Sequence, residues 1–535
     1  METTHGAGDG MTLAYGTRQP CDTALMREQR PPVACPARDK PWVLVTAILG
    51  SSLAFIEGSV VNLALPSLQA HFQANSTELQ WVVNAYLLAL GAFMLIGGSL
   101  GDRFGLRRIF LVGTAIFGTA SLACAVAPSL GILIAFRLVQ GFGAALLVPS
   151  SLALIGTHFE TGERGRAIGT WAGASALTTA VGPVLGGWLV DQWSWPAVFL
   201  LIAPLAAITF SVGLWRVPRS LPQTRAALDY PGAVLLAATL SLMIYALVGA
   251  MRPLPRLAIA LAVIVLGLAF LKRESRIARP MLPLDLFRSR SFSGANAMTL
   301  LLYCALSGAL YFLPFNLIQV QGYSATTAGA AFLPFTIILG FGSRFAGQLV
   351  ERFNPRTLLT AGPAITAAGF FVMAIPGVDS DLASGFLPAI VVIGVGMTLS
   401  VTPLTTVVMN AVGERQTGIA SGINNTAARL AGVVAVAGLT ALAVSLFSTR
   451  LALELQQTDV PAQLVAELQQ QASALGELRA PATASAGTTA TVSKAVAHAY
   501  VSAFRVLVSV CGGLALLSSL IAWLSIPRGF SSSDG

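Results

Sequence analysis

Long apolar runs alternate along this chain with short breaks rich in Gly, Arg and polar residues. Fourteen runs can be read, near residues 42–65, 79–100, 109–127, 130–156, 166–190, 196–216, 231–250, 257–271, 293–318, 325–346, 357–376, 385–409, 418–447 and 498–526. Most approach the roughly 20 helical residues that cross a bilayer core. The eighth run is short and the fourteenth opens on polar residues. The pattern predicts an all-α integral membrane protein with 14 transmembrane helices. The 52 Gly and 28 Pro fit such helices, because neighbouring segments satisfy the backbone groups they free.

Composition excludes a soluble alternative. Hydrophobic residues make up 55% of the 535 and charged residues only 10%, against about 25% charged in a soluble domain. The net charge of +9 would raise nucleic acid as a partner of a soluble chain; here the bilayer is the expected partner and no nucleic acid is. With fourteen spans both termini share one side. The loops and tails on that side carry 24 of the 32 Lys and Arg, while the opposite loops carry five, Arg252, Arg256, Arg450, Arg479 and Lys494. The positive-inside rule then places both termini in the cytoplasm of a multi-pass protein of the cell (inner or plasma) membrane. Arg137, Arg429 and Arg505 fall within or at the edge of runs.

A duplication organises the runs. GSLGDRFGLRR (98–108) follows the second run and GQLVERFNPR (347–356) the tenth, with Asp102-Arg103-Phe104 matched by Glu351-Arg352-Phe353. Each loop follows the second helix of a six-helix set. The expected organisation is a disordered cytoplasmic tail (1–41) and a six-helix bundle (42–216). A linker carrying two inserted helices (217–291) and a second six-helix bundle (292–526) follow, the latter with an extracytoplasmic loop at 448–497. A cytoplasmic tail (527–535) ends the chain. Residues 1–41 hold no apolar stretch of signal-peptide type, and little before Met26 looks structured, so Met26 is a candidate start. Transporters built from parallel repeats bind substrate near the midplane, between the halves.

The candidate chemistry is sparse. Glu57 lies inside the first run and Arg137 inside the fourth. Intramembrane charges are costly and mark function by default. Glu57 stands nine residues before Pro66 and Arg137 nine after Pro128, which sets both roughly 13 Å inside those markers at about 1.5 Å per residue. They can therefore meet, with Glu57 as a proton carrier whose pairing with Arg137 changes on protonation; the alternative is that they face different neighbours. In the loop 98–108, Gly101 and Gly105 allow a tight turn, and Asp102 can accept bonds from a helix N-terminus or from Arg103 or Arg107. The loop, with Glu351 and Arg352 in its repeat, reads as a conformational latch or as simple positive-inside anchoring. Gly182, Pro183, Gly186 and Gly187 in the fifth run suit close helix approach and a bend.

Asn62, Gln80, Asn84, Asn316, Gln319, Asn424 and Asn425 are midspan polar residues that line a cavity or bond helix to helix. Trp81, Tyr86, Tyr303, Tyr311 and Phe315 are candidates to stack on a flat apolar substrate. There is no G-x-x-x-x-G-K-[ST] run, so an ATP site is not expected. Cys21, Cys35, Cys124, Cys304 and Cys511 are scattered, and His5, His71, His158 and His498 make no metal pair. No catalytic residue, metal or cofactor is expected.

These motifs resemble the major facilitator superfamily, and in particular its 14-helix drug:proton antiporter branch, over about residues 42–526. GSLGDRFGLRR is similar to the family's signature between helices 2 and 3, RLVQGFGAA (137–145) to its helix 4 signature, GPVLGG (182–187) to the antiporter signature of helix 5, and FIEGSVVNLALP (55–66) to the branch's helix 1 motif. The resemblance implies two six-helix bundles with two inserted central helices. It implies that Arg137 belongs to a proton-coupling network, and that Asp102, Arg103 and Arg107 form a cytoplasmic latch favouring the outward-facing state. It also implies that Gly182, Pro183, Gly186 and Gly187 shape the helix 5 bend and limit leak. The chain departs from the branch at Glu57, where Asp is usual, and at Leu106, where a basic residue is. It departs again at Leu201-Ile202-Ala203-Pro204, where Ile-Asn-x-Pro is common, and at Glu351 and Asn354 in the second latch.

The expectation is a monomeric, proton-driven multidrug efflux antiporter for amphipathic or aromatic small molecules. A dedicated exporter of one metabolite, siderophore or lipid-like product is the alternative, and a non-transporting membrane sensor on the same scaffold a third.

Overall fold

A computed structural model describes residues 39–528 apart from 160, 219–228, 249–252, 278, 279, 281, 413–416, 457, 459, 482 and 483. The expected tails before residue 39 and after 528, and the candidate start at Met26, lie outside the described residues. Those described form helices joined by short turns, with no strand among them.

In chain order the helices are α1 (Lys40–Phe72), α2 (Ser76–Phe104), α3 (Leu106–Ala125), α4 (Leu130–His158), α5 (Thr161–Gln192), α6 (Pro196–Arg216), α7 (Tyr230–Val248) and α8 (Pro253–Glu274). They continue as α9 (Arg290–Phe315), α10 (Ala325–Ala330), α11 (Leu333–Arg352), α12 (Pro355–Met373), α13 (Leu387–Asn410), α14 (Thr417–Gln456), α15 (Ala462–Gln470) and α16 (Ala486–Ser525). Among the described residues ten helical segments are long and apolar enough to cross a membrane. The other four expected spans are also helical (α2, α5, α7 and α8), with shorter apolar stretches Glu78–Met94 and Pro231–Met243 in two of them.

Local sequence sets the helix ends. The Asn75 side chain accepts from the Glu78 N–H at 2.9 Å and the Glu78 carboxylate accepts from the Asn75 N–H at 3.1 Å, a reciprocal cap that starts α2. Gly105, at φ 96°, turns α2 directly into α3, a conformation that only Gly takes without strain.

Packing repeats the duplication read from the loops. Within the first six helices the main pairs are α2–α4, α3–α4, α1–α5, α3–α6, α1–α6 and α1–α4; the corresponding later pairs, α11–α13, α12–α13, α9–α14, α12–α16, α9–α16 and α9–α13, recur in the same order. The two groups meet where α5 packs on α10 and α11 and where α2 packs on α14. The pair α7–α8 packs on itself, with α7 also touching α2 and α14. Leu257, Leu261, Ile264, Val265 and Leu268 of α8 stay exposed, as they would towards lipid.

Within 448–497 the described residues are largely helical. α14 continues to Gln456, α15 and a 3-10 turn (Ala472–Glu477) follow, and α16 begins at Ala486. Apolar anchors explain the order. Leu451, Leu455, Leu468, Leu475 and Leu478 are all buried, so the segment covers the helix ends instead of trailing in water.

At the face remote from the termini the two groups are clamped together. Asp191 at the end of α5 accepts from the N–H groups of Ala325 (3.0 Å) and Thr326 (2.7 Å) at the start of α10, where a helix N-terminus favours negative charge. Gln319 donates to Gln69 at 3.2 Å, and Gln69 donates to the Ala474 carbonyl at 3.0 Å. A Cβ at Gly187 would collide with the Ala325 carbonyl oxygen, so only Gly permits this approach.

Two predictions follow from this packing. Gly187→Leu should overpack the remote face by about 1–3 kcal/mol and shift the protein towards an arrangement open there. Maleimide labelling of a cysteine placed at buried Ala328, in a chain with its native cysteines replaced, should speed up about tenfold; an unchanged rate would contradict the clamp. The second concerns the α7–α8 joint, where Asp229 accepts from Arg273 Nε at 2.8 Å and Nη2 at 2.6 Å. Burial works against the Asp229 charge, but Arg273 and the Gly232 N–H outweigh it and hold the carboxyl below its ordinary range. A depressed carboxyl pKa contributes stability at neutral pH that is lost as pH falls through the folded-state value, below about 4. Asp229→Asn should therefore lower the unfolding temperature at pH 7, and the difference from wild type should vanish in acid.

Candidate functional site

The charged centre sits where α1, α2 and α4 converge. α2 and α4 approach closely because Gly141 lies against the Tyr86 carbonyl and Gly97 against the Ala145 carbonyl, with no room for a Cβ at either. That approach brings the Arg137 side chain of α4 onto the backbone of α2. Arg137 Nε donates to the Val82 carbonyl at 2.9 Å, and Nη1 donates to Glu57 Oε1 at 2.6 Å and to Gln140 Oε1 at 2.7 Å. Its guanidinium carbon lies 4.5 Å from the centre of the Tyr86 ring and 5.9 Å from that of Phe199. The Glu57 side chain is 0% exposed and that of Arg137 1%. Such a pair survives burial only because its desolvation is offset by short geometry and further hydrogen bonds. One oxygen is left over: Glu57 Oε2 is buried without a hydrogen-bond partner. The arrangement can take a proton there without first breaking a bond to that oxygen.

A cavity of about 400 Å³ adjoins the pair, between the two helix groups. Arg137 lines it, as do Phe55, Asn62 and Tyr86 of the first group and Tyr303, Tyr311, Phe335, Thr336, Asn425 and Arg429 of the second. Glu57 is not in its wall; it lies behind Arg137. Pro183 also borders the cavity, while Gly182 and Gly186 seat α5 against Ser59 and Val60 of α1.

The expected cavity residues divide. Asn62, Tyr303 and Tyr311 line the space. Gln80 and Asn84 are buried outside its wall. Asn316 is buried as well and accepts from Gln321 at 3.4 Å. Gln319 belongs to the remote clamp through Gln69. Asn424 is engaged with Thr299, accepting at 2.8 Å and donating at 3.1 Å, and its neighbour Asn425 faces the cavity instead. One residue along a helix turns a side chain by about 100°, and here that turn takes Asn424 to Thr299 and Asn425 to the cavity.

In the loop 98–108, Arg107 Nε donates to the Gly213 carbonyl at 3.3 Å and its Nη2 donates to the Leu214 carbonyl, closing the last turn of α6. Arg103 stacks over the Phe104 ring at 5.4 Å. The side chains of Asp102, Glu351 and Arg352 lie outside the described residues.

Sequence reasoning missed Gln140, Arg429 and Asp191. Gln140 follows Arg137 by three positions, on the same helix face. Arg429 follows Asn425 by four, with Gly432 and Val436 continuing the stripe; that spacing was available as a signal. Asp191 acts across the two groups, and nothing local marks it.

The geometry makes a stability prediction. Arg137→Leu leaves Glu57 buried without its cation, which should cost about 3–5 kcal/mol. The double variant Glu57→Gln/Arg137→Leu should regain at least half of that loss in thermal unfolding of detergent-purified protein. Equal losses in the single and double variants would mean that the two side chains are energetically independent.

Comparison with known proteins places these features in context. A sequence profile described as Major Facilitator Superfamily matches residues 47–436. The tetracenomycin C resistance and export protein of Streptomyces glaucescens is 30% identical over 504 residues, covering 91% of each chain. The puromycin resistance protein of Streptomyces alboniger is 35% identical over 420 residues, 77% of this chain and 83% of the relative. Among solved structures, an inward-facing, occupied bacterial homologue of the human lysosomal transporter Spinster aligns with a TM-score of 0.65 at 15% identity, over 92% of this chain and 97% of that one.

Proposed function

The chain belongs to the Major Facilitator Superfamily, and on that premise we propose that it is a proton-driven exporter of amphipathic or aromatic small molecules. The observation that carries the reading is the buried Glu57, tied to Arg137 by one oxygen and open to a proton at the other, beside an aromatic cavity between the helix groups. Relatives whose names describe drug resistance and export support the direction of transport.

In this reading the cycle alternates access to the cavity. The remote clamp through Gly187, Asp191 and Gln69 closes one side. Protonation of Glu57 weakens its hold on Arg137 and loosens α1 from α4, and the halves rock to expose the cavity on the other side. Arg107, bonded to the end of α6, belongs to the latch with Asp102 that is made in one state and broken in the other. The excess of Lys and Arg on the side of the termini favours cytoplasmic termini in the cell membrane. The protein works as a monomer, and the proton gradient takes the place of a cofactor. One proton moving down a potential of about 100 mV supplies about 2.3 kcal/mol, and tenfold accumulation costs about 1.4 kcal/mol, so tight coupling to one proton supports more than tenfold extrusion.

A dedicated exporter is the second reading, favoured by relatives named for a single compound. Overexpression separates the two: a broad exporter raises resistance to several unrelated toxins, a dedicated one to a single chemical type.

The coupling is tested in proteoliposomes loaded with a pH dye, with tetracenomycin C as the first probe. Wild type should show probe-driven proton movement, and Glu57→Gln should retain less than about a tenth of it while still binding the probe. Full proton exchange by Glu57→Gln would remove Glu57 from the coupling.

A further inference from the structure

Two arginines border the central cavity, and they differ in what neutralises them. Arg137 is 1% exposed and shares its guanidinium with Glu57, Gln140 and the Val82 carbonyl. Arg429, on α14, is only half-buried and reaches into the space with its guanidinium carbon 6.0 Å from the centre of the Phe55 ring. Among the described residues no carboxylate lies within ion-pair distance of it. Among the described residues the acid beside the cavity is Glu57, which is fully buried behind Arg137 and already committed to it. The cavity therefore holds a cation that cannot be discharged by losing a proton, inside walls whose other described residues, Arg137 apart, are aliphatic, aromatic and neutral polar.

From this we infer that Arg429 sets the substrate class: the cavity takes aromatic or amphipathic molecules that carry a single anionic oxygen group, such as a carboxylate or a phenolate. A planar guanidinium binds such a group through two parallel N–H donors. Tyr303 and Tyr311, in the same wall, offer ring faces to the substrate's apolar body. Asn425, one helical turn before Arg429 on the same face, lies beside the place the anion takes. A cationic amphiphile finds no acid among the described residues of the wall and meets the Arg429 charge in surroundings of low dielectric, where repulsion is strong. The inference deepens the exporter reading and has a consequence for energetics that the reading alone lacks. One anion leaving against one proton entering moves two charges in the same electrical sense, a neutral solute moves one, and a monovalent cation none. The membrane potential alone thus drives the anion at twice the logarithmic gradient of the neutral solute.

Binding tests the inference without requiring transport. The purified full-length protein is titrated with three probes on one scaffold: 2-naphthoate, 2-naphthamide and 2-naphthylmethylammonium. Wild type should bind the carboxylate at least tenfold more tightly than the ammonium, with the amide between them. Arg429→Gln should compress that spread to threefold or less, and Arg429→Lys should keep part of the preference. If Arg429→Gln does not fold, the wild-type series and Arg429→Lys decide. Equal affinity for the three probes, or preference for the ammonium, overturns the assignment, as does an unchanged spread in well-folded Arg429→Gln. The outcomes are separable from those of the coupling reading. A protein that prefers the carboxylate but exchanges no protons sinks the coupling and leaves the selectivity; one that exchanges protons but prefers the ammonium does the reverse.

Discussion

A single buried ion pair ties the first half of this protein together. Arg137 cannot shed its charge, and at 1% exposure it is almost wholly withdrawn from bulk solvent. Everything it needs must come from the helices around it: a carboxylate from α1, a backbone carbonyl from α2, an amide oxygen from its own α4, and the faces of Tyr86 and Phe199. The glycines at 97 and 141 are part of the same solution, because without close α2–α4 contact the Val82 carbonyl would be out of reach. The pair therefore constrains helix positions as much as it carries charge, and a change in the protonation of Glu57 acts on the packing of three helices at once.

That constraint is placed against the boundary between two similarly packed helix groups. The repeated pairing of helices gives each group its own interior and leaves α5, α10, α11, α2 and α14 to form the contact between them. In this structure the contact is tight at the remote face, where Gly187 meets the Ala325 carbonyl and Asp191 caps α10, and it opens into a cavity deeper in the molecule. A charge event at Glu57 lies one side chain away from that cavity. In the proposed cycle this proximity lets substrate and proton bias the same rearrangement, with the arginine between them in contact with both.

Much of this was legible in the chain. The run lengths and the depleted charge predicted helices in a bilayer, and the paired loops around Asp102 and Glu351 predicted a repeat that reappears in the helix pairings. Counting residues from Pro66 and Pro128 put Glu57 and Arg137 at one depth, and depth is a one-dimensional property that sequence carries well. Azimuth is not. Whether Asn424 or Asn425 faces the cavity depends on where neighbouring helices stand around α14, and no local feature of either residue records that. The same gap hid that Gln80 and Asn84 lie outside the cavity wall and that Gln319 joins the remote clamp. The sequence left 448–497 open between amphipathic helix and loop for another reason: its leucines are too sparse to read as a span, and they become anchors only when the ends of other helices lie beneath them.

The central claim is that Glu57 changes protonation while the protein works. Infrared difference spectra of reconstituted protein, recorded as a bound probe is added, report buried carboxyl groups directly through their C=O stretch. A carboxyl band that appears or disappears in wild type and is absent from Glu57→Gln is the predicted result. The same band persisting in Glu57→Gln, in protein that still binds the probe, would contradict it.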